Sequence, residues 1–136
     1  MNFWLVKSEP SEYSWERFKK EEHATWEGVR NYQARNNLKS MKKGDLVLFY
    51  HSVSDRSVIG IAKVVRESYP DPTAGDNKGW VVVDLVPEKD LEKPVSLSMI
   101  KSDPRLANIA LIKQGRLSVM PLKREEFDAI VELGSR

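Results

Sequence analysis

The order of apolar and polar residues predicts an α+β domain: a small, mixed, mainly antiparallel sheet, curved or closed into a barrel, with short helices packed on its outside. Three observations carry this. Segments 46–51, 58–67 and 80–86 are apolar or β-branched and follow one another through turns, so they pair as antiparallel neighbours. Helical segments are interspersed with the strands, but not in the strand–helix–strand rhythm of a parallel sheet. A chain of 136 residues, 40% of them hydrophobic, suits one domain spanning 1–136 around one core.

Taken in order, the run Phe3, Trp4, Leu5, Val6 is a short buried strand. Pro10 and the serines around it break that strand, because proline cannot extend a ladder. Ser14 is an N-cap for a helix through Lys20, with Trp15 and Phe18 on one face. Asn31 caps a second helix reaching about Met41, with Ala34 and Leu38 inward. A turn at Lys43, Gly44 and Asp45 leads into the strand 46–51, apolar enough to be buried on both faces. After a loop at 54–57 comes the strand 58–67, where Gly60 marks a bulge or a close approach. Two prolines, a glycine, aspartates and Asn77 make 69–78 a long turn before the strand 80–86. Val95 starts a short segment and Ser98 caps a helical turn. Asp103 and Pro104 open a short helix over 106–112. The last strand is expected over 117–120. The last helix is expected over 123–133, stopped by Gly134.

Composition closes several routes to function. The chain has no cysteine, which excludes disulfides, zinc–thiolate sites and a cysteine nucleophile. Two histidines, His23 and His51, make a histidine-rich metal site unexpected, so neither a metal nor a cofactor is assigned. No apolar run approaches the roughly 20 residues of a membrane span, and the N-terminus lacks the basic region of a signal peptide. A cytoplasmic protein, or a nuclear one if eukaryotic, is expected, with no membrane partner and a monomeric state assumed. Net charge is only +2, but it is unevenly spread. Span 67–92 carries seven acids against Lys78 and Lys89, whereas span 93–124 carries seven bases against Asp103. From 28 to 44 there is no acid at all, which suggests one positive and one negative face.

That acid-free span begins beside the most informative residues of the chain. Trp26 and Tyr32 flank Gly28, Val29, Arg30 and Asn31, with more amides at Gln33, Asn36 and Asn37. Flat π-faces, amide donors and acceptors, and local cations are the means of holding a planar heterocycle beside a phosphate backbone. Arg35, Lys39, Lys42 and Lys43 are the phosphate-contact candidates. Against this stands the plain alternative of core aromatics and a surface ion pair. Lys7, Ser8 and Glu9 end the first strand before Pro10, where polar side chains can point into a cleft or simply form a loop. His51 and Ser52 end the most apolar strand, a place where pockets are lined and where a histidine is more often a satisfied polar residue. Arg116, after Gly115, is a further ligand candidate or an ordinary surface arginine. No nucleophile elbow, zinc-protease motif or phosphate loop is present.

Several of these segments together resemble the EVE domain, a branch of the PUA-like superfamily that also holds the YTH and ASCH domains. They are the run from Trp4 through Lys7, Ser8, Glu9 and Pro10, then the run from Thr25 through Trp26 to Asn36. The third is Met41 to Asp45 leading into Phe49, Tyr50, His51 and Ser52. Weaker support comes from Gly60, Ile61 and Ala62 and from Arg116, Leu117, Ser118 and Val119. The resemblance covers nearly the whole chain. It implies a PUA-like pseudo-barrel of mixed strands with peripheral helices, and a pocket for a nucleobase taken out of a duplex or a single strand. It further implies that Lys7, Ser8, Glu9, Trp26, Val29, Arg30, Asn31, Tyr32, His51, Ser52 and Arg116 line that pocket. Related domains read methylated or hydroxymethylated cytosine, or methylated adenine.

The expected function is therefore a non-enzymatic module that binds DNA or RNA and holds one base, expected to be modified. A small hydrolase of modified nucleosides is the first alternative, with Lys7, Ser8, Glu9 and His51 supplying nucleophile and base. A metabolite-binding domain using the same pocket is the second.

Overall fold

The computed structural model describes residues 1–76 and 78–136, so Asn77 of the expected long turn lies outside the described residues. Six strands form one mixed sheet: β1 (Phe3–Ser8), β2 (Ala24–Thr25), β3 (Leu46–His51), β4 (Ser57–Pro70), β5 (Val81–Ser96) and β6 (Val119–Leu122). Their order is β2-β5-β4-β3-β1-β6. The β3–β4–β5 meander is antiparallel, as the turns between those segments demand, and β1 lies parallel to β3. The row is open, with β2 and β6 as its edges, rather than closed into a barrel. Its long central pair is bent by repeated register shifts, among them one between Val58 and Gly60.

Among the described residues, five α-helices pack around the sheet: α1 (Trp15–Glu21), α2 (Tyr32–Ser40), α3 (Leu97–Ser102), α4 (Ala110–Lys113) and α5 (Arg124–Leu133). Ser14 and Asn31 cap α1 and α2 as their chemistry predicts: Ser14 Oγ accepts from Arg17 N at 3.1 Å and Asn31 Oδ1 from Ala34 N at 2.9 Å. The core is aromatic on the α1 side. Trp15 and Phe18 lie against Phe49 of β3, with ring centroids 5.2 and 5.5 Å apart. Gly60 is what lets Trp15 in, since a Cβ at that position would overlap the indole ring.

Several expected boundaries move. β5 runs on to Ser96 and absorbs the separate segment expected at Val95. Its second half is polar and contains Pro87, which sits beside a register shift, where the missing N–H does least harm. The cap of α3 is Ser96 rather than Ser98, its side chain accepting from Met99 N. The helix expected over 106–112 is two pieces, a 3-10 turn at Pro104–Leu106 capped by Asp103 and then α4. β6 starts two residues later than expected, at Val119. Gly134 does end α5, but with φ −73 rather than in the left-handed form. Space is tight there: a Cβ would stand 3.1 Å from the Lys93 carbonyl oxygen, so the neighbour would have to give way to it. The two-residue β2, unmarked by any apolar run, is an addition to the expected list.

Candidate functional site

A cleft of about 980 Å³ opens where the end of β1, the turn after it, α1 and the segment 23–31 converge. On one side stand Lys7 and Ser8, carried by β1, and Glu9 just after it. Opposite them stand Trp26, Gly28, Val29, Arg30 and Asn31. The sheet fixes both walls. Lys7 N donates to Ser118 O at 2.9 Å and Trp26 N to Val83 O at 2.8 Å.

Trp26 is half-buried, its ring edge-on to Phe49 at 5.6 Å and to Tyr13 at 6.2 Å. It is thus anchored in the core and still borders the cleft. Gly28 has φ 79, in the left-handed region, and a Cβ there would touch nothing. Backbone conformation, not crowding, explains the glycine.

Asp71, in the turn after β4, holds this loop from behind. Its carboxylate is buried and accepts from Gly28 N at 3.0 Å, Arg30 Nη1 at 2.9 Å, and Thr73 N and Oγ1 at 2.7 and 2.6 Å. Burial pushes its pKa up, but the hydrogen bonds from Thr73, Arg30 and the Gly28 and Thr73 amides outweigh it and hold the group well below the usual carboxylate range. An acid of the 67–92 span thus neutralises a base of the 28–44 span, so the two charged regions meet at this point.

The opposite wall is more open to a ligand. Ser8 Oγ donates to Tyr13 O at 2.6 Å, which leaves its lone pairs to accept. Lys7 Nζ donates to Gly115 O at 2.7 Å, and burial lowers its pKa. The Glu9 carboxylate has no hydrogen-bond or ion-pair partner among the described residues.

A family model for the EVE domain matches residues 2–133. The chain belongs to the EVE domain family. Thymocyte nuclear protein 1 of Gallus gallus is 37% identical to it, over 96% of this chain and 67% of the relative. A crystal structure of an Agrobacterium tumefaciens protein superposes with TM-score 0.95 at 44% identity, covering 98% of this chain and 93% of that one. The crystal structure of human THYN1 protein in complex with 5-methylcytosine-containing DNA superposes with TM-score 0.92 at 33% identity, covering 100% and 99%.

Of the ligand candidates in this EVE domain, Lys7, Ser8, Glu9, Trp26, Val29, Arg30 and Asn31 meet in the cleft, while Tyr32, His51, Ser52 and Arg116 are not among the residues lining it. His51 is buried and committed elsewhere. Its Nε2 accepts from Trp15 N at 3.0 Å and its Nδ1 lies 2.9 Å from Asp55 Oδ2. It secures the start of α1 and presents no free nitrogen to Ser8. Ser52 N donates to Ser8 O, bracing the wall from outside. Tyr32 lies exposed on α2, stacked on Trp80 at 5.1 Å. Arg116 is exposed. Of the phosphate candidates, Lys39, Lys42 and Lys43 are exposed and Arg35 is half-buried.

The EVE cleft also contains residues that sequence reasoning passed over: Tyr13, Arg17, Glu21, His23, Thr25 and Ser118. Tyr13 could have been noticed as the aromatic closing the turn after Pro10. Asp71 and Trp80 carried no local signal, since each acts on a partner more than 40 residues away. Among the described residues no group of three or more His, Cys, Asp or Glu could hold a metal ion.

Proposed function

We propose that this EVE domain binds DNA and holds one modified base, of the 5-methylcytosine class, in the cleft between Ser8–Glu9 and Trp26–Asn31. The observation that carries the reading is the pairing of an anchored aromatic, Trp26, with an unpartnered acceptor, Glu9, across one cleft. A flat ring binds a base face, and a free carboxylate accepts from the N4 amine of cytosine. Ser8 and Asn31 add further polar contacts, and Arg30 adds a cation at the cleft wall. The human relative bound to methylated DNA supports the choice of ligand. One buried methyl contributes only about 0.8 kcal/mol, roughly a fourfold preference, so selectivity beyond that depends on the fixed shape of the loop that Asp71 holds.

The test is a salt-titrated anisotropy assay with oligonucleotides differing only in one cytosine or 5-methylcytosine. Affinity should fall with rising salt, as phosphate contacts require. Trp26→Ala should abolish the preference for the methylated base while weak, salt-dependent binding persists. Undiminished, methyl-selective binding by that variant would overturn the reading.

A further inference from the structure

Next to the cleft lies a group of side chains that the cleft does not use. Tyr32 opens α2 with 62% of its surface exposed, although its ring is already engaged in stacking. Its partner is Trp80, at a centroid distance of 5.1 Å and an interplanar angle of 20°. Arg30 sits 5.6 Å from the Trp80 ring centroid, and Arg35 lies 5.0 Å from the Tyr32 centroid and 5.8 Å from that of Trp80. Two guanidinium groups thus hold two stacked aromatics at the surface. Arg30 is neutralised by Asp71, whereas Arg35 has no carboxylate within 4.0 Å among the described residues.

Helical spacing continues the feature. Positions 32, 35, 36 and 39 share one stripe of α2, opposite the buried Ala34 and Leu38, and the helix carries no acid. The stripe therefore runs from an exposed ring through Arg35 to Lys39. It also starts at the cleft, because Arg30 and Asn31 line the cleft and Tyr32 is the next residue.

We propose that Tyr32 and Trp80, with Arg30 and Arg35, form a second nucleotide site: an open platform that stacks the base adjacent to the one held in the cleft, with Arg35 and Lys39 facing its phosphates. It rests on the nucleic-acid reading above. Stacking suits this position because every base has a π-face, so the platform accepts any neighbour and leaves sequence choice to the cleft. The uncompensated Arg35 charge beside the rings matches a phosphodiester better than a neutral or cationic partner.

The experiment uses single-stranded DNA pentamers containing one 5-methylcytosine or one plain cytosine with 2-aminopurine on either side, and 5-methyldeoxycytidine monophosphate as the minimal ligand. The wild-type protein should quench the 2-aminopurine on one side. Tyr32→Ala should remove that quenching and weaken pentamer binding roughly 5- to 150-fold, with affinity for the mononucleotide unchanged. Tyr32→Phe should restore both. Because Tyr32 is exposed, a thermal melt within a few degrees of wild type should accompany the loss. Pentamer binding and quenching that survive Tyr32→Ala would overturn the platform while leaving the cleft reading intact. Binding that depends on Tyr32 but does not distinguish methylated from plain cytosine would uphold the platform and sink the cleft reading. No binding to any of these ligands would remove both. A dimer in sedimentation velocity that Tyr32→Ala dissociates would assign the rings to a second copy of the chain and overturn the proposal.

Discussion

Asp45 and Asp71 are both buried carboxylates at turns, exposed by only 2% and 1%, and each gathers donors from distant parts of the chain. Asp45 accepts from Asn2 N at 3.0 Å, Trp4 Nε1 at 2.9 Å and Lys42 N at 2.9 Å. These donors sit just before β1, on β1 and in the turn before β3, so Asp45 fastens the parallel β1–β3 pair in the frame. Asp71 instead takes the amide of a left-handed glycine and the guanidinium of a partly exposed arginine, both on the cleft wall. The same device builds a scaffold at one end and shapes a cleft-lining loop at the other. What separates them is the buried Trp4 indole N–H, which cannot find water once Asp45 is gone, whereas the Gly28, Arg30 and Thr73 donors to Asp71 are part-buried.

That difference can be broken by substitution. Asp45→Ala strands the Trp4 indole N–H in the core and leaves two part-buried backbone amides without their acceptor, at about 1–3 kcal/mol for each fully buried donor. A loss of about 3–4 kcal/mol in urea unfolding is expected. Asp71→Ala should cost less, about 2 kcal/mol, because Arg30 and Thr73 can turn to solvent. Methylated-DNA affinity should rank the other way: at least tenfold weaker in Asp71→Ala, near wild type in folded Asp45→Ala. Equal effects of both variants on binding would mean that the cleft loop needs no clamp.

A pH series sharpens the comparison with a smaller effect. The folded pKa of Asp71 lies below its ordinary value of 3.8, so its contribution is complete above that value. As pH falls through the folded pKa the carboxylate protonates and the contribution is lost. The stability gap between wild type and Asp71→Asn should therefore be widest near neutrality and close below about pH 4. Asp90, Asp103, Glu21 and Glu132 are also held below their ordinary values, Asp103 at about 2. They engage ion-pair partners nearer the surface, so added salt should weaken their share and leave the Asp71 gap. A gap that widens on acidification would contradict the clamp.

Local rules were the legible part of this fold. Ser14 and Asn31 announced their caps, and the apolar run 46–51 announced β3, because in each case the cause lies within a few residues. Gly60 was visible as an anomaly, but Trp15 as its reason was not, since their meeting depends on how α1 packs onto β4. The polar second half of β5 carries no strand signal of its own because its stability comes from the ladder to β4, not from its own side chains. The cleft divides along the same line. Trp26 through Asn31 stood out by composition, whereas Asp71 and Trp80, which hold and extend that segment, are fixed only by tertiary contact. His51 followed a sound rule about strand ends, yet the start of α1 occupies its Nε2.

The smallest expected stability effect is at Asn31, where a frame role and the proposed ligand role fall on one side chain. Its Oδ1 caps α2 through Ala34 N, and the residue lines the cleft. Asn31→Ala removes both functions and should cost about 1 kcal/mol of stability together with ligand affinity. Asn31→Ser separates them. A serine hydroxyl caps a helix about as well as an asparagine amide, so the thermal midpoint should stay within a degree or two of wild type. Serine lacks the amide NH2, however, and cannot donate two hydrogen bonds toward a base edge. Affinity for methylated DNA should then fall several-fold without a change in stability. If Asn31→Ser binds as well as wild type, the residue serves α2 alone, and recognition on this wall rests on Trp26 and Arg30.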